Sequence, residues 1–168
     1  MNFRLATPAD LSKTKEMYTA LINKMNKDGI EIWDETYPCE FLGDDISNDR
    51  LYLLYDENTI AGAFALCESN DGEKQVKWEK EHAKAIYLDR LGVNIHFAKQ
   101  GIATQLLYFA AKTAKEKGAE YLRLFVIDIN TPAVNLYKKN GFTKAEGTYV
   151  EIIDETLSFL EYGFEKKL

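Results

Sequence analysis

The sequence predicts an α/β domain with a central sheet and helices on both faces, and three observations carry that expectation. Ala85–Val93 and Tyr121–Ile127 are apolar, strand-like runs. Between them, from Ile102, apolar residues recur at Leu106, Phe109, Ala110 and Ala114, the spacing of one helix face. A strand, a helix and a strand at this separation form a right-handed crossover, so the two strands run parallel. At 168 residues, without repeat, linker or low-complexity tract, the whole of 1–168 is expected to be one domain.

The elements follow in order. Phe3–Ala6 alternates as a first strand. Thr7-Pro8-Ala9-Asp10 then opens a helix, with Thr7 as cap, Pro8 at the first position and Asp10 placed for a capping box. Leu11, Thr14, Met17, Tyr18, Leu21, Ile22 and Met25 mark its apolar face to about Lys27, and Gly29 ends it. Residues 30–38 are irregular and aromatic-rich, and a short helix is expected from Cys39 or Glu40 to Asn48. Leu51–Tyr55 and Ile60–Cys67 read as strands joined by a turn at Asp56-Glu57-Asn58.

Glu68–Lys84 is polar and reads as an excursion or short hairpin, with Trp78 either covering the core edge or serving as a lid. After the central strand, the long helix ends at Lys117-Gly118, where a left-handed cap is expected. Following Tyr121–Ile127, Thr131 is expected to cap a helix that carries Pro132 at its first position and stops near Asn140. Thr143–Ile153 and Thr156–Leu168 form the last strand pair around Asp154-Glu155.

The stretch with the most chemistry is Leu91-Gly92-Val93 through Thr104. A helix start presents unpaired N–H groups and the positive end of the helix dipole, which together attract phosphate. Gly101 leaves room for close approach, Ala103 and Thr104 are small, and Lys99 adds a cation. An anion site, most simply for a pyrophosphate, is therefore expected between Ala98 and Thr104. No G-x-G-x-x-G follows a strand and no G-x-x-x-x-G-K-[ST] occurs, which excludes the dinucleotide Rossmann and P-loop patterns.

Leu91-Gly92-Val93 followed by Gln100-Gly101-Ile102-Ala103 resembles the acetyl-CoA signature of the GNAT superfamily of N-acetyltransferases. Asn130-Thr131-Pro132-Ala133-Val134-Asn135-Leu136-Tyr137, then Lys139-Asn140-Gly141-Phe142, resembles that family's second motif. The signature core from Leu91 to Phe142 that holds both motifs covers roughly a third of the chain, and together the motifs are far more specific than either alone. One position departs: the family usually has Arg or Gln three residues before the central glycine, where this chain has Ala98.

The resemblance implies a mixed sheet splayed between its two parallel strands, with pantetheine lying in the gap. Its amides would pair with the backbone around Leu91, Gly92 and Val93, and the pyrophosphate would meet the N–H groups of Lys99, Gln100, Gly101, Ile102, Ala103 and Thr104. A bulge is expected at Gly92. Tyr137 aligns with the family tyrosine that points at the sulfur, and a phenol with pKa about 10 can protonate the departing thiolate. The Val93 N–H is the expected oxyanion donor. Asn130 and Asn135 match positions that contact the cofactor in some members; capping and solvation are their structural alternatives. For the base, Asp89 leads Asp128, Glu79, Glu81 and His82, with a water chain as the alternative. In the family, the region of residues 30–38 often lines the acceptor pocket, which here offers Trp33 and Tyr37 as walls and Glu31, Asp34 and Glu35 as charges. A hydrophobic plug is the other reading of these aromatics.

The resemblance thus implies acetyl transfer from acetyl-CoA to a primary amine in a ternary complex without metal. A protein or peptide amine as acceptor, or a non-catalytic CoA-binding module, are the alternatives. Net charge −6 speaks against nucleic acid as the main partner. Asp28–Glu57 holds ten acidic residues against Arg50 alone, which suits either a solvated face or a small cationic acceptor. No signal peptide or membrane span is visible, and Cys39 and Cys67 are isolated, so a cytoplasmic protein with free thiols is expected, with a homodimer as one option for its assembly.

Overall fold

Strand β1 (Asn2–Leu5) pairs antiparallel with β2 (Leu51–Asp56), and β2 with β3 (Thr59–Cys67), in the computed structural model, which describes residues 1–168. The chain divides into two compact units, Met1–Leu66 with Arg90–Phe109, and Cys67–Asp89 with Ala110–Leu168. Strand β4 (Ala85–Val93) and helix α3 (Ile102–Glu116) contribute residues to both.

In the first unit, helix α1 (Leu11–Lys27) ends at Gly29, whose φ of 79° takes the left-handed conformation that only glycine adopts freely. Asp10 is more than a cap. Its carboxylate accepts from the Thr7 N–H at 2.7 Å, from both terminal nitrogens of Arg4 at 2.8 and 2.9 Å, and from the Tyr55 hydroxyl at 2.7 Å. The Arg4 hydrogen bonds outweigh the opposing effect of burial and hold the Asp10 carboxyl far below the usual carboxylate range. This tie joins β1, the start of α1 and β2. Met17, Tyr18 and Ile22 of α1 pack with Leu42 and Ile46 of α2 (Leu42–Ser47) and with Leu51 and Leu53 of β2. Helix α2 starts later than expected because Glu40 and Phe41 are spent in turns, their N–H groups donating to the carbonyls of Thr36 and Pro38. Elsewhere in this unit Phe3 stacks on Tyr52 and, at 4.3 Å between ring centroids, on Phe109 of α3.

In the second unit, β4 and β5 (Tyr121–Ile127) are parallel, as the crossover rule requires, but in register only from Ala85↔Tyr121 to Tyr87↔Arg123. Beyond Tyr87 the pair opens, which matches the expected splay. On its other side β5 pairs antiparallel along its whole length with β8 (Ser158–Lys167). The expected last strand pair is present, but its first arm breaks at Gly147 (φ 92°) into β6 (Thr143–Lys144) and β7 (Tyr149–Ile152), both paired to β8. Helix α4 (Thr131–Lys139) lays Tyr137 against Phe142 and Phe164.

Residues 68–84 form an excursion without a strand pair. Trp78, 3% exposed, packs edge-on against Tyr87 and Phe125 under the Arg123 guanidinium. The Arg123–Glu165 pair, 3.2 Å apart and buried, also holds this segment: Arg123 donates to the Lys80 carbonyl, and Glu165 accepts from the Glu79 N–H. Trp78 is therefore a core cover and not a lid. No helix of the chain is long and apolar enough to cross a membrane.

Candidate active site

The turn after β4 is built from its backbone outward. Asn94 anchors it: the side chain donates to the Ile60 carbonyl at 2.8 Å and accepts from the His96 N–H at 3.0 Å. A single 3₁₀ turn follows at Ile95–Phe97. Lys99 (φ 62°) and Gly101 (φ 78°) then both take left-handed conformations, which reverses the chain into α3. The first backbone bond of the helix runs from the Gln105 N–H to the Gly101 carbonyl at 3.1 Å. The N–H groups of Ile102, Ala103 and Thr104 come before it and meet no acceptor in the chain, and those of Lys99 and Gln100 meet none either. A Cβ on Gly101 would touch nothing within 4 Å, so the space above the turn is open. Gln100 turns its amide back to the His96 carbonyl, leaving Lys99 as the cation of the turn. Unpaired donors, a helix dipole and a cation are the features that binding an anion requires.

The end of β4 corrects one expectation. The backbone irregularity is at Arg90, with φ 55°, and not at Gly92. Arg90 is fixed there by a double hydrogen bond to Asp45, at 2.6 and 2.7 Å, and by the Tyr18 hydroxyl donating to its carbonyl. Gly92 has a different reason to be glycine: a Cβ would come 2.6 Å from Cε1 of Tyr18. Tyr18 is wholly buried, and burial raises its phenol well above the usual range, so it remains a donor. Leu91 and Val93 flank this clamp on a strand whose course is set by buried side chains.

The second unit holds the titratable groups. Tyr137 is 7% exposed, and burial first, then the charge of Asp89, raises its phenol above the usual tyrosine range. It stays protonated throughout the neutral range, as an acid must before it acts. Asp89 lies just past the last parallel pair and is bonded weakly by the Asn70 amide at 3.5 Å. Glu161 of β8 is buried. Burial, a hydrogen bond with Glu151 and the charges of Glu151 and Asp89 hold its carboxyl well above the usual carboxylate range.

The other expected site residues are placed as follows. Asn130, not Thr131, caps α4, because its side chain accepts from the Ala133 N–H at 3.3 Å; Thr131 is the first helical residue. Asn135 is exposed on α4. Trp33 and Tyr37 continue an aromatic chain from Tyr18 to Phe41, with Trp33 half-buried against the first unit's core, while Glu31 is exposed. Glu81 accepts from the Trp78 N–H. The pairing of Glu161 with Glu151 was not expected from the sequence. The available signal was strand parity, since Glu161 and Glu165 alternate with Tyr162 and Phe164 and so share one face of β8.

Comparison with known proteins bears on the fold and the family. An acetyltransferase of the GNAT family from Streptococcus agalactiae shares the fold at a TM-score of 0.77, with 18% identity over 99% of this chain and 95% of that one. PaiA N-acetyltransferase from Thermoplasma acidophilum, solved in complex with coenzyme A, is 26% identical over 99% of this chain and 98% of that one, with a TM-score of 0.66. The bovine thialysine N-epsilon-acetyltransferase is 40% identical over 65 residues, a segment that spans only 37% of this chain and 38% of that enzyme. The acetyltransferase (GNAT) family pattern itself matches residues 15–142, a span that holds both the turn and Tyr137, and the chain belongs to that family.

Proposed function

We propose that residues 1–168 act as one acetyl-CoA-dependent N-acetyltransferase domain whose acceptor is the primary amine of a small, cationic molecule. The observation that carries this reading is the run of unpaired N–H groups from Lys99 to Thr104 above an open glycine. These groups and the Lys99 ammonium hold the pyrophosphate. The backbone of Leu91, Gly92 and Val93 pairs with the pantetheine amides, and the Val93 N–H meets the oxyanion. Asp89 takes the proton that the attacking amine must lose, and Tyr137 donates one to the sulfur as the carbon–sulfur bond breaks. Trp33, Tyr37 and Glu31 are the proposed walls and charge for the acceptor, and the run of acids from Asp28 to Glu57 favours a cation. Support for a small amine comes from the likeness to the bovine enzyme, named for thialysine.

The test is acetyl-CoA-dependent thiol release measured across primary amines, beside a calorimetric acetyl-CoA titration. Thiol release with a small polycationic or amino acid amine is the expected result. Binding of acetyl-CoA with no thiol release on any small or peptide amine would leave a CoA-binding module.

A further inference from the structure

Four residues other than glycine hold a left-handed backbone: Asp49, Glu57, Arg90 and Lys99. Three of them are exposed and stand in turns, where the chain has to reverse. Arg90 alone stands inside a strand, at φ 55° on β4. The left-handed conformation is disfavoured for an L-residue by about tenfold in an equilibrium. No turn requires it here, so side-chain contacts must hold it.

Those contacts all lie in the first unit. Asp45, in the first turn of α2, meets the Arg90 guanidinium with both carboxylate oxygens, at 2.6 and 2.7 Å. The two side chains are 2% and 8% exposed, and paired bonds to a planar guanidinium fix its orientation as well as its position. Arg50 approaches the same carboxylate only to 4.0 Å and lies closer to Asp44, at 3.3 Å. The Arg90 carbonyl in turn accepts from the Tyr18 hydroxyl, and the Tyr18 ring leaves Gly92 no room for a Cβ. Desolvation offsets most of the attraction within a buried ion pair, so stability alone is a weak reason for this one.

The segment that the pair controls is short. It is pinned upstream at Arg90. Downstream, the Asn94 N–H donates to the Ala61 carbonyl at 3.0 Å and its side chain to the Ile60 carbonyl at 2.8 Å. Between the two pins lie Leu91, Gly92 and Val93, so the rotation of the backbone at Arg90 sets where their peptide groups point.

We propose that Asp45 is a positioning residue for acetyl-CoA: through Arg90 it holds the bend that aims the Leu91–Val93 backbone at pantetheine. The proposal rests on the acetyltransferase reading, and it adds to the cofactor strand a side chain from 45 residues earlier in the chain.

The experiment is a calorimetric acetyl-CoA titration of the full chain, below the Tm of every variant. The proteins are wild type, Asp45→Asn, Asp45→Asn with Arg90→Gly, and Asp45→Asn with Arg90→Ala. Asp45→Asn keeps the side-chain shape and removes the charge, and binding about tenfold weaker is expected. The two double variants lack the same charges and leave no guanidinium buried without its partner, so they carry the test even where Asp45→Asn alone does not fold. They differ in the backbone, because glycine takes φ 55° freely and alanine does not. Binding should return to within about threefold of wild type with Arg90→Gly and stay about tenfold weaker with Arg90→Ala. A pair that served stability alone would move Tm and leave the two double variants with one affinity. That equality, or wild-type affinity in Asp45→Asn, overturns the role of Asp45 and leaves the acetyltransferase reading standing. No acetyl-CoA binding by wild type sinks that reading and the proposal with it.

Discussion

In the turn from Ala98 to Thr104 the polar groups left without an acceptor are peptide N–H groups on adjacent residues. On the sheet face of the second unit the polar groups are carboxyls contributed by Asp89 of β4, Glu151 of β7 and Glu161 of β8. The first arrangement needs little from side-chain identity beyond a glycine that can hold φ 78° and leave the space above it open. The second depends on side chains whose positions are set by strand register over more than seventy residues of sequence. A main-chain site of this kind tolerates substitution at neighbouring positions, whereas a side-chain site changes its chemistry with a single atom. Ala98 illustrates the tolerance: it stands where the family usually has Arg or Gln, yet the unpaired donors beside it are intact.

Three substitutions would break or sharpen this contrast. The largest effect is expected from Gly101→Glu, which places a carboxylate over the N–H groups and an L-residue in a left-handed conformation. Acetyl-CoA affinity should fall about 10²-fold or more, with the fold retained because a Cβ there meets no protein atom within 4 Å and the left-handed conformation costs an L-residue only about 1–2 kcal/mol. Calorimetry checks this, and undiminished binding would remove the cofactor from the turn. Next comes Tyr137→Phe, which deletes one oxygen from a packed ring. Here kcat should fall about 10²-fold while acetyl-CoA affinity is unchanged, the reverse of the Gly101 result. An unchanged kcat would mean that Tyr137 serves only its packing against Phe142 and Phe164. The smallest effect is expected from Ala98→Arg. A cation on the exposed turn should tighten acetyl-CoA binding about two- to fivefold at low salt, and the gain should disappear as ionic strength rises.

Local signals carried much of the fold. The amphipathic faces of α1 and α3, the Pro at the start of α4 and the glycines at 29 and 118 each act within a few residues, and each element appeared where its pattern lay. The crossover rule gave the parallel pair. Asp10 was visible as a cap because Thr7 is three residues away; its ion pair with Arg4 and bond to Tyr55 were not, because they require β1 and β2 to be side by side. Asn130 rather than Thr131 caps α4, a choice between adjacent residues that sequence spacing allowed but did not decide.

By itself, then, the sequence determined the α/β class, the order of elements, the glycine turn before α3 and the tyrosine of α4, since each depends on neighbours along the chain. Only the tertiary structure decided that β4 bends at Arg90, because Asp45 and Tyr18 hold it there across a buried pair. Only the tertiary structure, likewise, brought Glu151 and Glu161 to one face with Asp89. Their meeting follows from the register of β7 and β8 and from the parallel start of β5, and register is a property of paired strands that no single strand contains.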